Sequence, residues 1–224
     1  MHTIGLVADT HGFLDPVLCP VLAAAGVTHI LHAGDIALGK KKVSNRITAV
    51  SLLSALKKVA PVDAVRGNTD DGELPPTLTY WAGAPGKSIR FVVHHGNQPD
   101  WKNDDAVLKA LEPAGGWRRS GDIIVYGHSH EPRFVHHECG VAFLNPGTAG
   151  GSTEINRFGK THPQQCAVVR CSDDGTAFEV SAIDLSLGRS PEHAPEVPRR
   201  WMAEATTATT GVASSRKRKR GRRS

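Results

Sequence analysis

Gly127-His128-Ser129-His130 follows an apolar run, Ile123-Ile124-Val125-Tyr126, that reads as a buried strand. Side chains two apart on an extended backbone share a face, so His128 and His130 are expected to aim at one point past the strand end. Converging imidazoles suit a metal ion. Near the start of the chain Ile4-Gly5-Leu6-Val7-Ala8 runs into Asp9-Thr10-His11, which sets a carboxylate and an imidazole two residues apart. Between these pairs lie Gly34-Asp35, Gly67-Asn68-Thr69-Asp70 and His95-Gly96, each directly after a hydrophobic run. Strand ends thus supply Asp9, His11, Asp35, Asn68, His95, His128 and His130. Taken singly, a strand-end Asp or Asn is a turn former or helix cap. The ordered set favours ligands, and its mixture of carboxylate, amide and imidazole suits borderline divalent ions such as manganese, iron, zinc or nickel better than calcium.

The elements that must position these residues follow from the apolar pattern. Thr3 to Ala8, Thr28 to Ala33, Val62 to Val65, Ile89 to His94 and Asp122 to Tyr126 read as strands. Helices are expected from Asp15-Pro16 to Ala25-Gly26, along Val43, Ile47, Val50, Leu53, Leu56 and Lys57 after the basic loop Lys40-Lys41-Lys42, and from Asn103 to Leu111. Asp71 to Gly86, with prolines at 75, 76 and 85, is expected to be irregular. Val135, Val141 to Leu144, Ala167 to Arg170 and Phe178 to Ile183 look like antiparallel strands. Alternating strand and helix followed by a strand-rich half predicts an α/β fold of two sheets packed face to face with helices outside.

The chain has 224 residues, 39% hydrophobic, and a net charge of +5. Of its 27 Lys and Arg, seven lie between Arg216 and Arg223, which leaves 20 against 22 acidic residues and a slightly acidic body. Residues 1–188 are expected to form the folded unit and 189–224 a disordered basic tail, rich in Pro, Ala, Thr, Ser, Lys and Arg. That tail suits a nuclear-import receptor or a nucleic acid as partner, and would also be tolerated as plain solvated chain. No apolar run is long enough to span a membrane, and Met1 leads almost directly into the first strand, so neither membrane nor transit peptide is expected. Cys19, Cys139, Cys166 and Cys171 lack zinc or disulfide spacing and read as reduced thiols of a cytoplasmic or nuclear protein. His2, His29, His32, His136, His137, His162 and His193, and likewise Trp81, Trp101 and Trp117, read as surface or packing residues.

Asp-x-His, Gly-Asp, Gly-Asn, His and Gly-His-x-His at successive strand ends resemble the calcineurin-like metallophosphoesterases, over roughly residues 3 to 185. The spacing is most similar to the small phosphodiesterase branch, which also contains the eukaryotic retromer scaffold subunit. The resemblance implies a four-layer α/β/β/α sandwich of two mixed sheets. It implies two divalent metal ions, manganese first, with nickel, iron, zinc, cobalt or magnesium as alternatives. Asp9, His11 and His130 would hold one ion, Asn68, His95 and His128 the other, and Asp35 would bridge them, with Asp35, Asn68 and His95 central to catalysis. The implied reaction is hydrolysis of a phosphodiester by in-line attack of a metal-bridging hydroxide. Where the wider family has a histidine after the metal-binding asparagine, this chain has Thr69, which cannot serve as a general acid near neutrality. Asp70 is expected to orient a ligand's partner or cap a turn, and Asn97 replaces another frequent histidine. His95, placed directly before glycine, is chosen over His94, which strand alternation turns to the opposite side. Asn145-Pro146-Gly147 reads as a tight turn shaping the pocket, and the loops at 39–46, 74–86 and 97–105 as specificity loops. The alternative is a non-catalytic interaction scaffold on the same fold.

Overall fold

The computed structural model describes residues 1–38, 46–97, 103–111, 121–150, 163–186 and 200–204. The loop lysines 40–42, Val43, Trp101, Trp117, His162, His193 and the basic run 216–223 lie outside these residues. The described elements are β1 (His2–Val7), α1 (Leu18–Ala24), β2 (His29–His32), α2 (Ala49–Leu56), β3 (Val62–Ala64), β4 (Thr77–Ala84), β5 (Lys87–His94), α3 (Asp104–Leu111), β6 (Ile123–Val125), β7 (Arg133–His136), β8 (Ala142–Asn145), β9 (Gln165–Cys171), β10 (Ala177–Asp184) and β11 (Arg200–Glu204). They form a six-stranded sheet in the order β11-β10-β9-β1-β2-β3 and a five-stranded sheet in the order β4-β5-β6-β8-β7. Both are mixed. In the first, β1 runs parallel to β2 and β2 to β3, and in the second β6 runs parallel to β5 and to β8.

Three hydrophobic clusters match the three interfaces of a four-layer α/β/β/α sandwich. Between the sheets, Ile4, Leu6, Leu31 and Val169 meet Phe91, Val93, Val125 and Leu144. On the outer face of the first sheet, Leu18, Leu22, Leu52 and Leu56 of α1 and α2 cover Val7, Ile30 and Val168. On the outer face of the second, Val107 of α3 meets Ile124, Tyr126 and Phe143. Alternate residues of β1 therefore enter different clusters, which is why it is apolar from Ile4 to Val7. Burying each large aliphatic side chain supplies about 1.5 to 3 kcal/mol, so the central strands are firmly held and their ends can bear polar, strained turns.

Five local expectations are corrected. The segment 71–86 contains β4, paired antiparallel with β5 over its whole length; Pro75 and Pro76 precede the strand and Pro85 follows it, so no proline interrupts the ladder. Helix α1 begins at Leu18, because the Asp15 carboxylate accepts from Val17 N–H (2.9 Å) and holds a separate turn ahead of it. Helix α2 begins at Ala49, where Thr48 caps it by accepting from Ser51 N–H. In the strand-rich half, β8 is antiparallel to β7 but parallel to β6. In the segment for which the sequence predicts no regular structure, Arg200–Glu204 pairs with β10 as an edge strand. That pairing satisfies an otherwise open strand edge through backbone groups, which no side-chain period announces. No helix among the described residues is long and apolar enough to cross a membrane.

Candidate metal centre

Strands β1, β2, β3, β5 and β6 end on the same side of the sandwich, and the seven residues singled out by the sequence lie in the turns just beyond them. Backbone bonds lace these turns together. Asp9 N–H donates to Gly34 O (3.0 Å), His11 N–H to Asp35 O (2.8 Å) and Gly127 N–H to His95 O (3.0 Å). Five described non-glycine residues have positive φ, namely Asp9 (52°), His11 (47°), Asp35 (51°), His128 (69°) and His130 (60°), and all five belong to the predicted ligand set. Left-handed backbone is costly for side chains with a Cβ and is retained where the surrounding structure imposes it, typically at functional sites.

This conformation overturns one expectation. His128 and His130 stand on a left-handed turn after β6, not on extended backbone, so they do not aim at one point. His130 faces Asp9 and His11: its Nε2 is 3.4 Å from Asp9 Oδ1 and 3.1 Å from His11 Nε2. His128 faces His95, with ring centroids 5.1 Å apart, and its backbone N–H donates to both carboxylate oxygens of Asp9. Asp35 lies between the groups, its Oδ2 3.4 Å from His95 Nε2 and 4.0 Å from His11 Nδ1. Asn68 Oδ1 is 3.0 Å from His95 Nε2. The seven side chains thus form one connected cluster.

The donor set fits divalent cations. Ligand atoms of Asp9, His11 and His130 lie within 4.8 Å of one another, as do those of Asp9, Asp35 and His95. Two buried carboxylates so placed call for a compensating cation. His95 Nδ1 donates to Ala33 O (2.8 Å), which leaves Nε2 as the inward-facing nitrogen, the arrangement in which a backbone carbonyl orients a ligating imidazole. His11 Nδ1 is buried without a hydrogen-bond partner. Burial lowers the pKa of His11 and of His128, keeping both neutral and able to ligate. Burial alone would raise the Asp35 pKa, but the hydrogen bond from His95 and its charge outweigh it and bring the carboxyl to about 2. Burial opposes protonation of His130 and of His95, yet hydrogen bonding to Asp9 and to Asp35 raises both.

Glycines admit these contacts. A Cβ on Gly67 would lie 2.0 Å from Asp35 Oδ1, and one on Gly127 would lie 2.6 Å from Asp9 Oδ2. Thr69 N–H donates to Asp35 Oδ1 (2.8 Å) while its hydroxyl donates to Ala37 O (2.8 Å), so the side chain is committed away from any leaving group. Asp70 accepts from Gly67 N–H (2.8 Å) and Ala37 N–H (2.9 Å) and caps the turn that presents Asn68. His94 points to the opposite side, as alternation predicts, and stacks on Tyr126 with centroids 5.9 Å apart.

Other residues support the site, among them Asn145, which the sequence reading placed in a pocket-shaping turn, and two whose role it did not find, Thr148 and His32. Asn145 Nδ2 donates to Gly127 O and Ser129 Oγ (both 3.0 Å), pinning the turn that carries His128. Thr148 Oγ1 donates to Asp9 O (2.8 Å). His32, read as packing, is fully buried and hydrogen-bonded to Thr10 Oγ1 (3.0 Å). Polar residues flanking Gly34 and Pro146 were the available signal. On the rim, the Arg46 side chain packs at Gly12, its guanidinium sits 5.5 Å from the Phe13 ring centroid, and its buried Nη1 has no hydrogen-bond partner.

Burial lowers the pKa of His94 to about 4, whereas the unfolded chain titrates near 6.5. Below pH 6.5 the unfolded state therefore binds the extra proton and stability falls. Wild type is expected to lose about 1.4 kcal/mol per pH unit relative to His94→Leu between pH 6.5 and about 4. Urea midpoints in chelator at pH 7 and pH 5 check this.

Residues 2–174 match the Calcineurin-like phosphoesterase superfamily domain. A probable metallophosphoesterase of Methanocaldococcus jannaschii is 28% identical over 148 residues, 65% of this chain and 67% of that protein. Another, from Methanothermobacter thermautotrophicus, is 29% identical over 151 residues, 65% of this chain and 76% of that protein. Among solved structures, Chaetomium thermophilum Vps29 superposes with a TM-score of 0.65 at 17% identity, covering 92% of this chain and all of the other. YfcE, a phosphoesterase from E. coli, superposes with a TM-score of 0.58 at 18% identity, covering 91% of this chain and 99% of the other.

Proposed function

Because the chain belongs to the calcineurin-like phosphoesterase superfamily, we propose that it is a phosphodiesterase working with two divalent metal ions, manganese first among them. The observation that carries this reading is the convergence of all seven donors, with the buried carboxylates of Asp9 and Asp35 faced by imidazoles. Asp9, His11 and His130 would hold one ion, Asn68, His95 and His128 the other, and Asp35 would be shared. Bound there, two divalent ions supply a nucleophile from water near neutral pH and neutralise charge on the phosphoryl oxygens.

The chain's own groups orient this chemistry. Ala33 O fixes the His95 ring, Thr69 N–H and His95 fix the Asp35 carboxylate, and His128 N–H fixes Asp9. With the Thr69 hydroxyl donated to Ala37 O, position 69 offers no proton to the departing alcohol. The reading therefore favours diesters and good leaving groups over monoesters of poor ones. Arg46, a cation beside the turn that carries His11, is assigned to the substrate's anionic group. Arg46→Ala is expected to raise KM about tenfold with kcat little changed, read from initial rates over a range of diester concentration.

The test of the reaction is hydrolysis of bis-p-nitrophenyl phosphate against p-nitrophenyl phosphate after chelation and readdition of Mn²⁺, Ni²⁺, Zn²⁺ or Mg²⁺. Diester cleavage at least about tenfold faster than monoester cleavage, dependent on added metal and lost in His128→Ala, is the expected result. Folded protein that cleaves neither ester with any metal overturns the reading in favour of an interaction scaffold.

A further inference from the structure

Residue 32 belongs to none of the roles above, although its side chain lies at the junction of two site turns. His32 is fully buried at the end of β2. Its Nε2 is 3.0 Å from Thr10 Oγ1, and its Nδ1 lies 3.3 Å from Gly34 N. The hydrogen-bond roles can be assigned. Gly34 N–H can only donate, so Nδ1 accepts. Thr10 Oγ1 spends its single proton on Ile36 O (3.0 Å), so it accepts from His32 Nε2–H. Both ring nitrogens are thereby occupied, which excludes His32 as a metal ligand.

What it joins explains its placement. Thr10 sits between Asp9 and His11, and Gly34 directly precedes Asp35, so one imidazole connects the two turns that present both buried carboxylates. Asp9, His11, Gly34 and Asp35 all have positive φ, and the backbone bonds between these turns run through the same residues. Turns in this conformation do not hold themselves. A side-chain strut linking both resists the relaxation that would let the carboxylates move apart.

We propose that His32 is a positioning residue, an imidazole strut that locks the Asp9–His11 turn to the Gly34–Asp35 turn and so sets the spacing of the two carboxylates offered to the ions. The inference rests on the metal-centre reading. Burial lowers the His32 pKa to about 3, so the strut stays uncharged across the neutral range, and its two hydrogen bonds fix the tautomer.

The test uses the full chain and Mn²⁺ as probe, with uptake followed by competition against a fluorescent chelator and by the Mn²⁺-induced rise in melting temperature. His32→Leu removes both bonds, whereas His32→Gln keeps a donor at the Nε2 position and an acceptor oxygen beside it. Thr10→Val removes the strut's far anchor. His32→Leu is expected to weaken Mn²⁺ binding about 10- to 100-fold, with His32→Gln recovering most of the loss. Thr10→Val should also weaken binding, and the His32→Leu/Thr10→Val double variant should bind no more weakly than the worse single one, as for two ends of one link. Wild-type affinity in folded His32→Leu, or equal losses in the leucine and glutamine variants with additive losses in the double one, overturns the proposal. If His32→Leu does not fold, wild-type affinity in Thr10→Val does so instead. Wild-type protein that takes up no Mn²⁺ overturns the metal-centre reading itself, and this inference with it.

Discussion

Asp35→Ala is expected to remove the proposed metal-dependent diester hydrolysis, with a loss on the order of a thousandfold or more. The magnitude follows from position. Asp35 is 3% exposed and is the only carboxylate of the set within 4.0 Å of both His11 and His95. Removing it deletes the group that, in the proposed reading, both ions would share. Asp35→Asn separates charge from packing. The amide keeps an oxygen to accept from Thr69 N–H, and asparagine tolerates the left-handed backbone at φ 51°. The variant is therefore expected to fold as wild type and still to lose at least about a hundredfold in rate, with metal uptake reduced below two ions. Chelator-competition stoichiometry and initial rates on the same sample decide the matter. Two ions retained with near wild-type rates would remove Asp35 from the centre.

Gly67→Ala is expected to damage fold and site together. Its Cβ would lie 2.0 Å from Asp35 Oδ1 and 2.2 Å from Asp35 N, distances that force either the carboxylate or the backbone to move. Gly67 is not among the positive-φ residues, so the effect is steric and not conformational. Overpacking of this kind costs about 2 to 3 kcal/mol, read as a lower urea midpoint in chelator. Because the backbone nitrogen is struck as well as the carboxylate, adding Asp35→Ala does not restore stability. Full recovery in the double variant would show that the carboxylate alone fills the space.

How far the sequence revealed this cluster of side chains depended on the kind of physics involved. Asp9, His11, Asp35, Asn68, His95, His128 and His130 were legible because chemically competent residues directly followed apolar runs, and a buried strand delivers its next residues to a sheet edge. The pairing among them was not legible from periodicity. Strand alternation fails as soon as the chain leaves the ladder, and here β6 ends at Val125, well before His128. The left-handed turns then send His130 to Asp9 and His128 to His95. Strand β4 was hidden because its prolines, read as breakers, fall outside it. The role of His32, and the partners of Asn145 in its pocket-shaping turn, were out of reach for a different reason. Their value lies in which backbone groups they reach, and that depends on tertiary neighbours at Thr10, Gly34, Gly127 and Ser129.

The five left-handed side chains carry a consequence for how such a chain can change over generations. Each would sit more comfortably as glycine, by about 1 kcal/mol, in a molecule whose net stability is of order 5 to 15 kcal/mol. A lineage that used this fold only as a surface would drift toward glycine at these places and become sturdier by doing so. Aspartate and histidine at these places therefore carry a stability cost that a chain serving only as a surface would have no need to bear.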